Sequence, residues 1–129
     1  MVAGVYMAIC AVGLIYLSAR VIGLRRAHRV SVGHQGDIAL ERAMRLQANF
    51  TEYVPLALLM LALAEAQGLP TWAVHTLGLG LVASRVTHFL GFRSDAAPLR
   101  LRVGGMTGTF GVLGVLAVVL VVQAGLGVG

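Results

Sequence analysis

Seven residues in two stretches of this chain have the types and spacing to form a polar site. Arg42, Arg45, Asn49 and Glu52 stand at i, i+3, i+7 and i+10. At 100° per residue this confines them to about 80° of one helical face. Arg85, His88 and Phe92 stand at i, i+3 and i+7, again one face. Three or more guanidinium groups against one carboxylate leave positive charge to spare, so such a site attracts an anion. Guanidinium binds a carboxylate through two parallel hydrogen bonds, and Glu52 is suited to receive an ammonium group of the same ligand. A small zwitterion with surplus carboxylates meets both requirements. The competing structural reading pairs Glu52 with Arg45 inside the fold and lets Arg85 reach toward lipid headgroups.

Other chemistry is scarce. The only cysteine, Cys10, lies in an apolar run and reads as a small buried thiol; alone it forms neither an internal disulfide nor a cysteine zinc site. His88 by itself reads as a hydrogen-bonded interior residue. No His/Asp/Glu set has metal-ligand spacing, so no metal is expected, and no Ser-His-Asp arrangement is legible.

The elements that must carry these residues are set by composition. Of 129 residues, 58% are hydrophobic and 12% charged, and the mean hydropathy is +0.87. Water-soluble domains carry about a quarter charged residues, so this surface is built to face lipid. The net charge of +5 comes from ten arginines and no lysine. These arginines are embedded in or beside apolar runs and do not form one exposed basic face, which argues against a nucleic-acid partner.

A membrane-crossing helix needs about 20 largely apolar residues. Four spans are expected, near residues 2–24, 47–67, 71–92 and 103–125, making an all-α four-helix membrane bundle in one domain over 1–129. The first is expected to be a retained helix, since its apolar run is long and has no basic stretch before it. In the second, the continuous apolar run covers only Tyr53 to Ala64. The turn at Gly68 to Pro70 marks its end, and counting back about 20 residues places Asn49 and Glu52 inside the membrane with Arg45 near its boundary. Helix is expected to continue below the bilayer to Asp37, an N-cap with Glu41 in the first turns. Glycines crowd the fourth span, where Gly104/Gly108 and Thr107/Gly111 form small-xxx-small pairs suited to close packing.

Arginines occur in the first and third connections (residues 25–45 and 93–102) and not in the second. By the positive-inside rule these two loops are cytoplasmic and both termini lie outside. Ionisable groups at membrane depth cost a few kcal/mol, so they face the protein interior and have a task. Arg85 falls toward the cytoplasmic end of its span, level with Asn49 and Glu52.

The stretch from Glu41 to Pro55, with Arg45, Asn49, Glu52 and Pro55 in the spacing R-x-x-x-N-x-x-E-x-x-P, resembles the second-helix signature of the MAPEG family, the membrane-associated proteins of eicosanoid and glutathione metabolism. Val21 to Ser31 is similar to the end of the first helix in that family's leukotriene-forming synthases. Arg85-Val-Thr-His88, followed by Ala97-Pro-Leu-Arg100, resembles the third helix and following loop of its prostaglandin-forming members. The resemblance covers nearly the whole chain and looks most like the short bacterial members, which implies an inner-membrane location.

What the resemblance implies is a homotrimer that holds glutathione between neighbouring subunits near the cytoplasmic side. Arg25, Arg45, Gln47, Asn49, Glu52, Tyr53, Arg85 and His88 would contact glutathione, and Arg100 would be the catalytic, thiol-activating arginine, with Arg102 as its rival. Phe92 stands where eicosanoid-forming members carry a tyrosine, and Leu101 where the prostaglandin branch has a serine. The expected function is a glutathione-dependent transferase or peroxidase acting on lipophilic electrophiles from the bilayer. The family also contains a non-enzymatic binding protein, so a lipid-binding or scaffold protein of the same fold is the alternative. A small ion-coupled exporter ranks third, because an exporter of cations would not gather arginines around its carboxylate.

Overall fold

A computed structural model describes residues 1–128. It contains four helices: α1 Ala3–His28, α2 Ile38–Ala66, α3 Thr71–Phe92 and α4 Leu99–Gly125. Local chemistry explains each boundary. Asp37 caps α2, its carboxylate accepting from the Leu40 N–H at 3.0 Å, with Glu41 in the first turn. At the other end Gly68 takes a left-handed φ of +96°. Leu69 N–H then reaches the Ala64 carbonyl at 2.9 Å and Gly68 N–H the Glu65 carbonyl at 3.0 Å, the paired closing bonds of a Schellman turn. Arg29 holds the left-handed seat after α1, so α1 runs past the expected residue 24 and carries Arg20, Arg25 and Arg26 on its last turns. Pro98 sets the start of α4 at Leu99, four residues before the expected 103.

The N-terminus of α1 has no cap of its own sequence. Glu65, at the far end of α2, supplies one: its carboxylate accepts from Val2 N–H at 2.6 Å and Ala3 N–H at 2.7 Å. A carboxylate at a helix N-terminus satisfies orphan donors and complements the helix dipole. Nearby, the Tyr6 hydroxyl meets His75 Nδ1 at 2.7 Å, tying α1 to α3 at the same end.

Helices α2 and α3 form the centre of the bundle. The largest contact is α3 on α4, followed by α1 on α2, and α1 and α4 do not pack together among the described residues. The core face of α2 runs through Leu46, Phe50, Val54, Ala57, Leu61 and Ala64, against Tyr6, Cys10 and Leu17 of α1, Val74 and Leu81 of α3, and Val112 and Leu116 of α4. A smaller cluster of Val21, Val30, Leu40 and Ala43 closes the arginine-rich end. The outer surface is equally apolar: Val12, Ile15, Leu59, Val118 and Val121 are all exposed. Such an inside-out distribution suits lipid as the solvent.

Three of the four helices, α1, α2 and α4, are long and apolar enough to cross a membrane. Helix α3 has the length expected for a span, yet its composition is diluted by His75, Ser84, Arg85 and His88. Arg85 and His88 are buried, so the polarity of α3 is turned into the bundle.

Close packing of α4 on α3 uses a different glycine pair from the one expected. A Cβ on Gly105 would lie 2.6 Å from His88 Cα, and one on Gly108 would collide with the Ser84 hydroxyl. Gly104 has only an ordinary contact, and Gly111 and Gly114 have nothing within 4 Å. The expected Gly104/Gly108 and Thr107/Gly111 pairs are therefore corrected to Gly105 and Gly108.

Candidate functional site

Arg85 is the centre of the polar interior, with only 7% of its surface exposed. Its Nη2 donates to Asn49 Oδ1 at 2.7 Å, and its Nη1 donates to Thr109 Oγ1 at 3.4 Å. Thus α2, α3 and α4 meet on one guanidinium. Its Nη2 also lies 3.3 Å from His88 Nδ1. A guanidinium has no acceptor, so His88 Nδ1 accepts and the ring proton sits on Nε2. The Nε of Arg85 is buried without a hydrogen-bond partner, and no carboxylate stands in ion-pair distance of it among the described residues. A buried cation with an unpartnered N–H and no counter-charge is a place for an acceptor from outside the chain.

Around it the expected residues divide into two sets. Asn49 and His88 join Arg85. Gln47 Nε2 donates to Ser18 Oγ at 2.9 Å, fastening α2 to α1, and Tyr53 stacks edge-on with Phe110 of α4, centroids 5.4 Å apart. Arg25 is folded back onto the first loop, its Nη1 donating to the Gly33 carbonyl at 2.8 Å.

Arg45 and Glu52 point elsewhere. At 100° per residue, Asn49 lies about 105° and Tyr53 about 65° from the mean direction of the buried positions of α2, whereas Arg45 lies about 145° and Glu52 about 165° away. Both are accordingly exposed in the single chain. Arg45 Nε is 3.5 Å from Glu41 one turn earlier, with 70% of its side chain exposed, so it does not pair with Glu52. The stripe that the spacing predicts as one face is split by the direction of the core. Its inner edge supports Arg85, and its outer edge looks out of the subunit.

The two candidate activating arginines also differ. Arg102 Nε donates to the Gly91 carbonyl at 2.6 Å, and its guanidinium covers the Phe92 ring at 4.1 Å. That fixes it as a clasp between α4 and the end of α3. Arg100, two residues earlier in the first turn of α4, is exposed and has no ion-pair or hydrogen-bond partner within the described residues. Beside this loop Arg42 pairs with Asp95, linking the start of α2 to the α3–α4 connection.

Several groups that hold Arg85 or tie the helices beside it carried no sequence signal. Thr109 and Ser18 come from helices whose patterns are otherwise apolar. Phe50, whose ring lies 5.7 Å from the Arg85 guanidinium carbon, reads only as core.

The sequence model of the MAPEG family matches residues 3–122. The chain belongs to the MAPEG family. It is 36% identical over 110 residues to the inner membrane protein YecN of Escherichia coli strain K12, covering 85% of this chain and 82% of that protein. The YecN protein of Escherichia coli O6:H1 strain CFT073 matches to the same extent. This MAPEG chain is an integral inner-membrane protein, in accord with its spanning helices and apolar exterior.

Proposed function

We propose that this chain is a membrane-embedded, glutathione-dependent transferase or peroxidase, assembled as a homotrimer, that acts on lipophilic electrophiles reaching it through the bilayer. The observation that carries the reading is the buried Arg85 guanidinium, held by Asn49 and Thr109 and lacking any carboxylate partner. Glutathione has two carboxylates and one amine. One carboxylate would supply the missing counter-charge.

The outward direction of Arg45 and Glu52 supports assembly. A carboxylate on a helix flank shared with Leu56, Leu59 and Leu63, all exposed, would cost about 3 kcal/mol if it faced lipid. A second copy of the chain removes that cost. Glu52 and Arg45 then form the other wall of an intersubunit site, near the cytoplasmic side, where Glu52 takes the ammonium group. Four spans with both termini outside put the arginine-rich loops on that side.

In the chemical step Arg100 stabilises the thiolate by charge, lowering the thiol pKa from its usual ~8.5 and presenting a nucleophile at neutral pH. The binding residues fix the peptide so that attack is effectively unimolecular. For conjugation the thiolate displaces a leaving group or adds to the electrophile. For peroxidase chemistry it attacks the peroxide oxygen, the O–O bond breaks to release the alcohol, and a second thiol converts the resulting sulfenic acid to the disulfide with loss of water.

One observation favours a second reading. Arg100 stands exposed and separate from the Arg85 cluster, which suits a non-catalytic lipid-binding or scaffold protein of the same fold. Calorimetric titration of the purified protein with glutathione separates the two. The enzyme reading expects binding that is lost in Arg85→Leu and Glu52→Leu and retained in Arg100→Leu; absence of glutathione binding by a folded oligomer overturns it.

A further inference from the structure

On the α1 side of Arg85 lies a cavity of about 240 Å³ between α1, α2 and α3. Its floor is buried and includes Cys10, Phe50, Arg85 and His88, and its rim is formed by the exposed Ile9, Tyr16 and Val86. The slot therefore opens sideways, between α1 and α3, onto the surface that lipid covers. These two helices make the slightest of the packing contacts in the bundle. We propose that this slot is a docking site for a neutral lipophile bearing a conjugated carbonyl, such as a quinone or an enone, with its carbonyl oxygen on Arg85.

The polarity of the ligand follows from counting hydrogen-bond capacity. The walls are almost wholly apolar, and the N–H groups beneath them are at most two: Arg85 Nε, which is buried without a partner, and His88 Nε2. A carboxylate has about four lone-pair positions to satisfy, so burying one here leaves half of them bare at a cost of several kcal/mol. A ketone or quinone oxygen needs one or two donors, and its ring suits walls that include Phe50 and Phe89. Arg20 does not line the slot; its guanidinium lies over the Phe89 ring at 5.3 Å.

The slot and its ligand stand independently of the transferase reading.

The only cysteine of the chain lines the slot and reports on its occupancy. Duroquinone is fully substituted and does not alkylate thiols; durene has the same ring and methyl groups without the carbonyls. With no glutathione present, duroquinone at ten times its dissociation constant should slow N-ethylmaleimide modification of Cys10 by about tenfold and raise the apparent melting temperature. Durene and decanoate should do neither. Gly13→Leu, which fills the slot from α1, should abolish both effects, and so should Arg85→Leu if that variant folds. Equal protection by durene, or better protection by decanoate, overturns the proposal. So does the absence of any duroquinone shift in melting temperature, which decides the matter if Cys10 does not react. A glutathione titration on the same preparation tests the transferase reading separately.

Discussion

Gly105→Ala offers a quantitative check on how the site is held. The added Cβ would lie 2.5 Å from His88 Cβ and 2.6 Å from its Cα and N, whereas ordinary contact begins at 3.4 Å, so the helices must part by about 0.9 Å. The atoms struck are backbone, which cannot rotate aside, so the overpacking cost lies near the upper end of the usual range, about 3 kcal/mol. Alanine regains about 1 kcal/mol of helix propensity over glycine. The net expectation is a loss of about 2 kcal/mol, together with weaker glutathione binding because His88 and Arg85 move with α3. Gly111→Ala is the control: nothing lies within 4 Å of its Cβ, so only the propensity gain of up to ~1 kcal/mol remains. Reversible unfolding in mixed micelles, followed by circular dichroism, measures both. Equal shifts of the same sign in the two variants would refute the assignment of Gly105, and not its neighbours, to the α3–α4 contact.

Asn49→Ala removes the 2.7 Å acceptor of Arg85 and should destabilise the protein by about 1.5–3 kcal/mol, the worth of a hydrogen bond to a charged group, as read by the same unfolding assay. Arg102→Leu should cost stability through its lost bond to the Gly91 carbonyl, while Arg100→Leu stays within about 0.5 kcal/mol of wild type, as an exposed residue without partners should. The Asp37 carboxyl is held below its ordinary pKa of 3.8, first by the Leu40 N–H and then by His28. A lowered carboxyl pKa contributes stability above the unfolded value that disappears as pH falls through the folded one. The start of α2 should therefore loosen only below about pH 4, measured by amide exchange of residues 38–41. Asp37→Asn, which caps equally well and does not titrate, should lose that dependence.

The two ends of α2 were legible because their causes are local. Asp37 caps the residues that follow it, and the Gly68 turn closes through bonds spanning five residues. The meeting of Asn49 with Arg85 was legible because equal depth in the membrane brings polar groups together. The outward turn of Arg45 and Glu52 was not. A helical wheel gives the angles between residues and not the direction of the core, and here Asn49 lies at the edge of the buried face with Arg45 and Glu52 beyond it. The clamp of Glu65 on Val2 and Ala3 joins residues more than sixty apart, and no periodicity announces it. Likewise Gly105 and Gly108 face α3 because of the rotation of α4, which the small-residue spacing leaves open. Of the two candidate activating arginines, only packing shows that Arg102 is committed to Gly91 and Phe92 while Arg100 is unengaged.

The most direct test of glutathione activation is the thiolate absorbance of the purified protein titrated with glutathione at neutral pH. The account predicts a saturable rise in the wild-type protein, its loss in Arg100→Leu with binding intact, and loss of both signal and binding in Arg85→Leu. A wild-type protein that binds glutathione without any rise in thiolate, or an Arg100→Leu variant that shows the full rise, would contradict it.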